Sequence, residues 1–525
     1  MQIEVQTMTI AVSGALRPEP KSGNLPCVVL GPRERVTCEA IERIADGAAS
    51  AAFGREAVDA IERSRATLEA AHLRGDEIYG LTTGYGPHVR YAADENAFAQ
   101  GSGLIAHLGA GCGPLASRRV VRATLAARCQ ALALGHSGIA PDAARALLSL
   151  LQTDTCPAIP EIGSVGASGD LIPLAHAARV LTGEGRVLTE TGAVIDATDA
   201  LRDAGLEPIE LSGRDALAMV NGTSFMTAYA SLAIARADRL VRIAEALTAW
   251  AFRSLGGRHQ AMDARIHEAR GHAGQIASAA SIASGLIDHA EDTSRPLQEV
   301  YSLRCAPQFL GACRDQLAYA RSVVERELNG VNDNPVVCGS PTDPAVLHGG
   351  NFQGQQISFA ADAANAAIVQ ASLLIERQLD VIVNPELNGG APLLLAWQPG
   401  ATSGMAGGQI TATAVAAELR RNATPSAVAT MPTNGRNQDV VSMGTMAARV
   451  CYEQTERAAV VLAIHAIGLG QLAFLRQHGR APGEPVSVPE WMNGFEGFRS
   501  DRALHADIER IGAAMLEHDF LGDAA

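Results

Sequence analysis

Eight consecutive residues carry the most pointed chemical suggestion in the chain: Gly163-Ser164-Val165-Gly166-Ala167-Ser168-Gly169-Asp170. Glycine permits backbone turns that a Cβ forbids. Bent tightly enough, the chain brings the backbone nitrogen of Gly169 to the carbonyl carbon of Ala167. Ring closure with loss of water, and loss of the Ser168 hydroxyl as a second water, leaves a five-membered ring with an exocyclic methylidene. That group is an electrophile, which no unmodified side chain supplies. Asp170 is a good helix N-cap and Pro173 falls in a first helical turn, so a helix starting here aims its positive end at the loop. Two rival readings fail on spacing. A phosphate-cradling loop needs Gly-x-x-x-x-Gly-Lys-Ser/Thr, and no Lys follows. A nucleophile elbow needs Gly-x-Ser-x-Gly, but Ser168 has Asp170 two residues on. A plain glycine-rich connection is what the stretch would be if it stood alone.

An electrophile that captures an amine does not complete a reaction by itself. It needs a base to move a proton, and an Arg is the natural fork for an anionic group of a substrate. Candidates lie in irregular segments: Tyr79 at the head of Tyr79-Gly80-Leu81-Thr82-Thr83-Gly84-Tyr85-Gly86, and Arg304 in Tyr301-Ser302-Leu303-Arg304-Cys305-Ala306-Pro307-Gln308.

Helices must position these loops. The 525 residues are 47% hydrophobic but only 4% aromatic, with Ala and Leu prominent, which favours helix over strand. Apolar periodicity predicts helix over 37–71, 120–134, 143–151, 276–290, 307–329, 358–380, 411–421 and 443–475. Residues 215–255 read as one or two long helices broken near Asn221-Gly222-Thr223. Residues 78–87 and 155–169 read as irregular, 184–209 as a small hairpin, and 332–351, 384–408 and 424–439 as connectors. The expectation is a mainly α chain with a long central helical bundle. Its parts are a flexible arm over 1–24, an N-terminal domain over 25–214 bearing the opening loop, and a bundle with a C-terminal helical region over 215–525.

A net charge of −14 with no Lys/Arg cluster argues against nucleic acid or an anionic membrane as partner. Nine scattered cysteines with no Cys-x-x-Cys pair suit a reducing cytoplasm and argue against a zinc site. The apolar run 458–475 approaches a spanning length but contains His465, Gly468, Gly470 and Gln471, so a buried bundle helix is expected.

The run from Gly163 to Ala177 closely resembles the autocatalytic loop of the aromatic amino acid lyase and aminomutase family. There Ala-Ser-Gly becomes 4-methylidene-imidazol-5-one (MIO). The resemblance implies a histidase/phenylalanine ammonia-lyase-like fold, an MIO formed from Ala167, Ser168 and Gly169 with no metal or nucleotide, and a cytoplasmic homotetramer with shared active sites. It also implies roles. Tyr79 is the β-proton base, Tyr301 assists proton traffic, Arg304 grips the carboxylate, and Gln308 holds substrate or MIO. Asn221 contacts the MIO and the amine, although an Asn in a helix break also caps backbone. Asn334, in Asn332-Asp333-Asn334-Pro335, stands near the carboxylate. Phe352, in His348-Gly349-Gly350-Asn351-Phe352-Gln353-Gly354, lines the pocket. Asn434 and Gln438 come from the signature ending Val440-Val441-Ser442.

Substrate choice rests on His107-Leu108, the pair found in tyrosine lyases of the family, where phenylalanine lyases have Phe-Leu and histidine lyases Ser-His. A His that must pair with a phenol penalises Phe. Gln438, where histidine lyases carry Glu, is a poor partner for a charged imidazole. The expected activity is therefore conversion of L-tyrosine to trans-4-coumarate and ammonia. The alternatives are a tyrosine 2,3-aminomutase, then a histidine or phenylalanine ammonia-lyase, and last a non-catalytic assembly on the same scaffold. Tyr85, where many lyases of the family have Phe, leans towards the mutase.

Overall fold

The computed structural model describes residues 25–492, 494–517 and 520. The arm expected over 1–24 lies outside them. Four long helices form the bundle: Ser224–Leu255, Ala306–Leu328, Gln355–Val383 and Gly444–Gln477. Gln355–Val383 and Gly444–Gln477 pack along each other and on Ser224–Leu255. Both are long and apolar enough to cross a membrane, yet 89% of the apolar window of Gly444–Gln477 is buried inside the protein. The apolar run is thus a core helix, as its internal His and Gln suggest. The expected break between Gly213–Val220 and Ser224–Leu255 falls at Asn221-Gly222-Thr223.

Among the described residues, sheet is confined to two-stranded pieces. The hairpin expected over 184–209 is Arg186–Leu188 paired antiparallel with Val194–Asp196. Three readings need correction. The stretch 155–169, expected to be irregular, holds the short strand Pro160–Ile162, paired antiparallel with Cys112–Leu115. The helix expected over 37–71 is two helices, Cys38–Ala45 and Arg55–Arg74, separated by the strand Ser50–Phe53, which pairs in parallel with Cys27–Leu30. Periodicity missed it because its Ala residues carry no strand signature, and the partner strand lies outside that window. The connector 332–351 holds a second hairpin, Val336–Ser340 with Asp343–Leu347, packed on the Arg55–Arg74 helix. Several helices escaped the periodicity reading, among them Ala197–Asp203, Ala264–Arg270 and His505–Met515, and another bears on the site. Ala97–Leu108, capped by the Asn96 side chain on Phe98 N and Ala99 N, carries His107 and Leu108 at its end.

Candidate active site

The 163–170 loop sits where helices begin. Its own helix, Leu171–Leu181, starts behind it. Gly354 N donates to Gly166 O at 3.3 Å, just before Gln355–Val383. Met443 N donates to Val165 O at 2.9 Å, just before Gly444–Gln477. Met226 N, in the first turn of Ser224–Leu255, donates to Asp170 Oδ2 at 2.8 Å. Positive helix ends therefore converge on the loop and favour negative charge there.

The backbone is held from two sides. Gly166 and Gly169 have φ of +68° and +67°. A Cβ on Gly169 would lie 2.1 Å from Gly222 O, and Asp170 N donates to that same oxygen at 2.7 Å. A Cβ on Gly166 would lie 2.3 Å from Ser442 Oγ, which donates to Gly166 O at 2.8 Å. Between these pinned glycines lie Ala167, buried, and Ser168, whose Oγ accepts from Gln438 Nε2 at 2.8 Å.

Asp170 occupies the N-cap position but does not cap its own helix. Its carboxylate faces inward, where Oδ1 accepts from Ser164 Oγ at 2.9 Å and meets Thr445 Oγ1 at 2.5 Å. Burial raises its pKa to about 6, against the pull of those hydrogen bonds. Across the Gly169–Gly222 contact, Glu327 accepts from Thr223 Oγ1. Burial pushes Glu327 up as well, and the nearby Asp170 charge adds to this.

Other expected site residues gather around this loop. Gly80 leans on Leu217 of the Gly213–Val220 helix, which ends at Asn221. Asn221 is 3% exposed, and its Oδ1 has no partner among the described residues. Tyr79 Oη accepts from Gly86 N at 2.7 Å. Burial raises the Tyr79 pKa, while the Gly86 N–H and the charge of Arg214 oppose that shift. Gly86 in turn abuts the Asn434 amide. Asn334 Oδ1 accepts from Gly349 N at 2.8 Å, three residues before the half-buried Phe352. Leu108 is buried, while His107 is exposed, its Nδ1 3.0 Å from Gly103 O. A carbonyl only accepts, so Nδ1 carries a proton; the tautomer this selects for a neutral imidazole has Nε2 as its acceptor. Just past this helix, Gly111 lies against Gly163.

Tyr301, Arg304 and Gln308 stand apart. Ser302 O accepts from Gln378 Nε2 at 2.9 Å, near the far end of the helix whose first turn meets Gly166. At 1.5 Å per residue, the 23 positions from Gln355 to Gln378 put Arg304 roughly 35 Å from the Ser168 loop. The guanidinium of Arg304 lies 4.6 Å from the ring centroid of Tyr301, which is 68% exposed. Buried Arg304 Nε and Gln308 Oε1 have no partner among the described residues.

Sequence reasoning passed over Ser442, Thr445, Glu327 and His348 as individual side chains. Ser442 and His348 lie inside segments it had singled out. Glu327 and Thr445 sit in helices, where a polar residue gives no signal of what it faces.

The profile of the aromatic amino acid lyase family matches residues 36–488. A tyrosine ammonia-lyase of Cereibacter sphaeroides is 39% identical over 90% of this chain and 95% of its own length. A histidine ammonia-lyase of Paracidovorax citrulli is 37% identical over 93% and 95%. The crystal structure of tyrosine aminomutase from Streptomyces globisporus superposes with a TM-score of 0.88 at 34% identity, covering 95% of this chain and 99% of that one. With a clamped Ala-Ser-Gly loop at converging helix ends and similarity along nearly its whole length, the chain belongs to the aromatic amino acid lyase family.

Proposed function

We propose that this member of the family is a tyrosine ammonia-lyase, releasing trans-4-coumarate and ammonia. The observation that carries the choice of tyrosine is His107. Its Nδ1–Gly103 O bond selects, for a neutral ring, the tautomer whose Nε2 can accept from a phenol hydroxyl.

The residues present fit an MIO made from Ala167, Ser168 and Gly169. The loop holds glycine on either side of Ala167-Ser168 with no room for a Cβ, and the buried Asn221 Oδ1 awaits a donor. When formed, the group supplies an electrophile for the substrate amine. The remaining work falls to side chains. Tyr79 takes the β-proton at its Oη, where the Gly86 N–H stabilises the phenolate. Gln438 orients the Ser168 position. Arg304 binds the carboxylate as a fork, with Asn334 beside it. Because Arg304 and Ser168 stand at opposite ends of one chain's bundle, this reading requires Arg304 from another copy, in keeping with a homotetramer.

A second reading, tyrosine 2,3-aminomutase, is favoured by Tyr85. Its hydroxyl donates to Gly213 O at 2.9 Å, and its ring packs edge-on against Tyr79. Phe would lack that tie, and a loop held closed longer gives ammonia time to re-add at the β-carbon.

The test is a competition assay with L-Tyr, L-Phe and L-His together, resolving 4-coumarate, cinnamate, urocanate and β-amino acids. Predominant 4-coumarate is expected, moving towards cinnamate in His107→Phe. Predominant β-tyrosine makes the chain a mutase, and urocanate refutes the reading of His107. Intact mass tests the cofactor independently, since the matured chain is lighter than the encoded one by two waters.

A further inference from the structure

We infer that His348 is a positioning residue for Tyr79, holding the loop that carries the proposed base through a hydrogen bond only a neutral imidazole can make. The inference rests on the functional reading above for its kinetic consequence, though not for its geometry. Tyr79 N lies 3.1 Å from His348 Nε2, across 269 residues of sequence. A backbone N–H only donates, so the ring nitrogen must present a lone pair and the proton must sit on Nδ1. Both partners are accessible enough for water to serve instead, so burial does not force this pairing.

The mount behind His348 is tied to the scaffold from both sides. The hairpin ending at Leu347 packs on the Arg55–Arg74 helix, and Arg74 Nη2 donates to Pro344 O at 2.8 Å. On the other side, Gly349 N donates to Asn334 Oδ1. The Tyr79 loop, by contrast, is bonded largely to itself, through Thr82 N to Ile78 O, Gly84 N to Tyr91 O and Gly86 N to Tyr79 Oη. Tyr85 and Gln100 tie its later part to the scaffold, through Gly213 O and Thr83 O. At its head buried Ile78 packs on Leu68, Ala71 and Val337, and the hydrogen bond from Tyr79 itself to the scaffold goes to His348. The His348-Gly349 peptide thus joins the base to Asn334, the residue proposed near the carboxylate. Substrate seating and placement of the base share one mount.

The experiment compares wild type, His348→Leu and His348→Gln as full-length protein. Gln places an acceptor oxygen near the Nε2 position without a titrating ring. Amide hydrogen exchange is followed in peptides covering residues 79–86, and kcat and KM are measured on L-tyrosine. In His348→Leu, exchange over 79–86 should quicken and kcat should fall about 3- to 10-fold, as for one lost hydrogen bond in placing the base. KM should move less than about twofold. His348→Gln should restore both protection and kcat to within about twofold of wild type. Wild-type exchange in His348→Leu overturns the inference. So does a kcat loss in His348→Gln as large as in His348→Leu. If wild type turns over none of L-Tyr, L-Phe or L-His, the functional reading fails, and the exchange comparison alone decides the anchor.

Discussion

Ala at Gly166 tests whether the loop is held by a specific collision that a second substitution can relieve. Gly166 has φ +68°, a left-handed conformation that costs a Cβ-bearing residue about 1–2 kcal/mol. The smaller entropy of the unfolded Ala chain returns about 0.4–1 kcal/mol. The new Cβ would stand 2.3 Å from Ser442 Oγ, well inside van der Waals contact. Ser442 must swing away and abandon its bond to Gly166 O, a loss of about 0.5–1.5 kcal/mol, with residual crowding of about 1 kcal/mol. Gly166→Ala should therefore cost about 2–3 kcal/mol. Ser442→Ala alone should cost about 1 kcal/mol, since Gly166 O keeps its bond from Gly354 N. In the double variant the nearest atom to the new Cβ becomes Gly444 N at 3.0 Å, so most of the crowding is gone. Its cost should be about 2 kcal/mol, some 1–2 kcal/mol less than the sum. Chemical denaturation of the four proteins measures stability, and intact mass measures ring formation, which should recover in the double variant. Strict additivity, or a Gly166→Ala as stable and mature as wild type, refutes the clamp.

Three other perturbations follow. His465 is fully buried with no partner for either ring nitrogen among the described residues, and burial lowers its pKa from 6.5 to about 3. Its stability contribution is present above 6.5 and lost as pH falls towards 3, so His465→Leu should gain about 1–2 kcal/mol at neutral pH and more in acid, read from denaturation midpoints. Asp170 has the opposite sign, raised from 3.8 to about 6, so wild type should lose stability relative to Asp170→Asn as pH climbs through that interval, and a flat difference would contradict its burial. Finally, Ser168→Ala and Arg304→Ala should each be inactive alone. Co-refolded at equal amounts they should regain about a quarter of wild-type turnover, because a site drawing Ser168 and Arg304 from different copies finds both intact with that frequency. No recovery places both residues in one chain.

The fold was legible where pattern and composition agreed. Long Ala/Leu segments became the bundle, and Asn221-Gly222-Thr223 broke a helix where the turn residues stood. The strand Ser50–Phe53 was not legible, since its partner Cys27–Leu30 lies across an intervening helix and Ala residues carry no strand signature. In the candidate site, the Ala167-Ser168-Gly169 loop and Tyr79 announced themselves by glycine spacing that ordinary secondary structure does not need. Asp170 was legible as a helix start but not as a buried carboxylate, because its partners Thr445 and Met226 come from helices that begin far along the chain. Which of its neighbours a residue meets is a property of packing, and single-sequence periodicity reports only which face it shares.

Two rulers agree on how the proposed machinery is divided. Along Gln355–Val383, Gly166 meets the first turn and Ser302 meets Gln378. Along Ala306–Leu328, Glu327 touches Thr223 beside the loop, while Arg304 precedes the opposite end. Each gives a separation of roughly 35 Å at 1.5 Å per residue. The helices starting at Ser224, Gln355 and Gly444 begin at the loop, whereas Ala306–Leu328 runs the other way, so that Gln308 in its first turn, and Tyr301 and Arg304 just before it, lie at the far end. The arrangement leaves Asn221 Oδ1 unpartnered at one end and Arg304 Nε and Gln308 Oε1 at the other. Buried polar atoms of this kind cost free energy unless something satisfies them. Two copies set antiparallel would bring each end of one bundle to the opposite end of its neighbour, and would do so twice over in a two-fold pair. On the proposed function, the antiparallel run of Ala306–Leu328 would oblige the chain to assemble before Arg304 could meet a carboxylate beside the Ser168 loop of another copy.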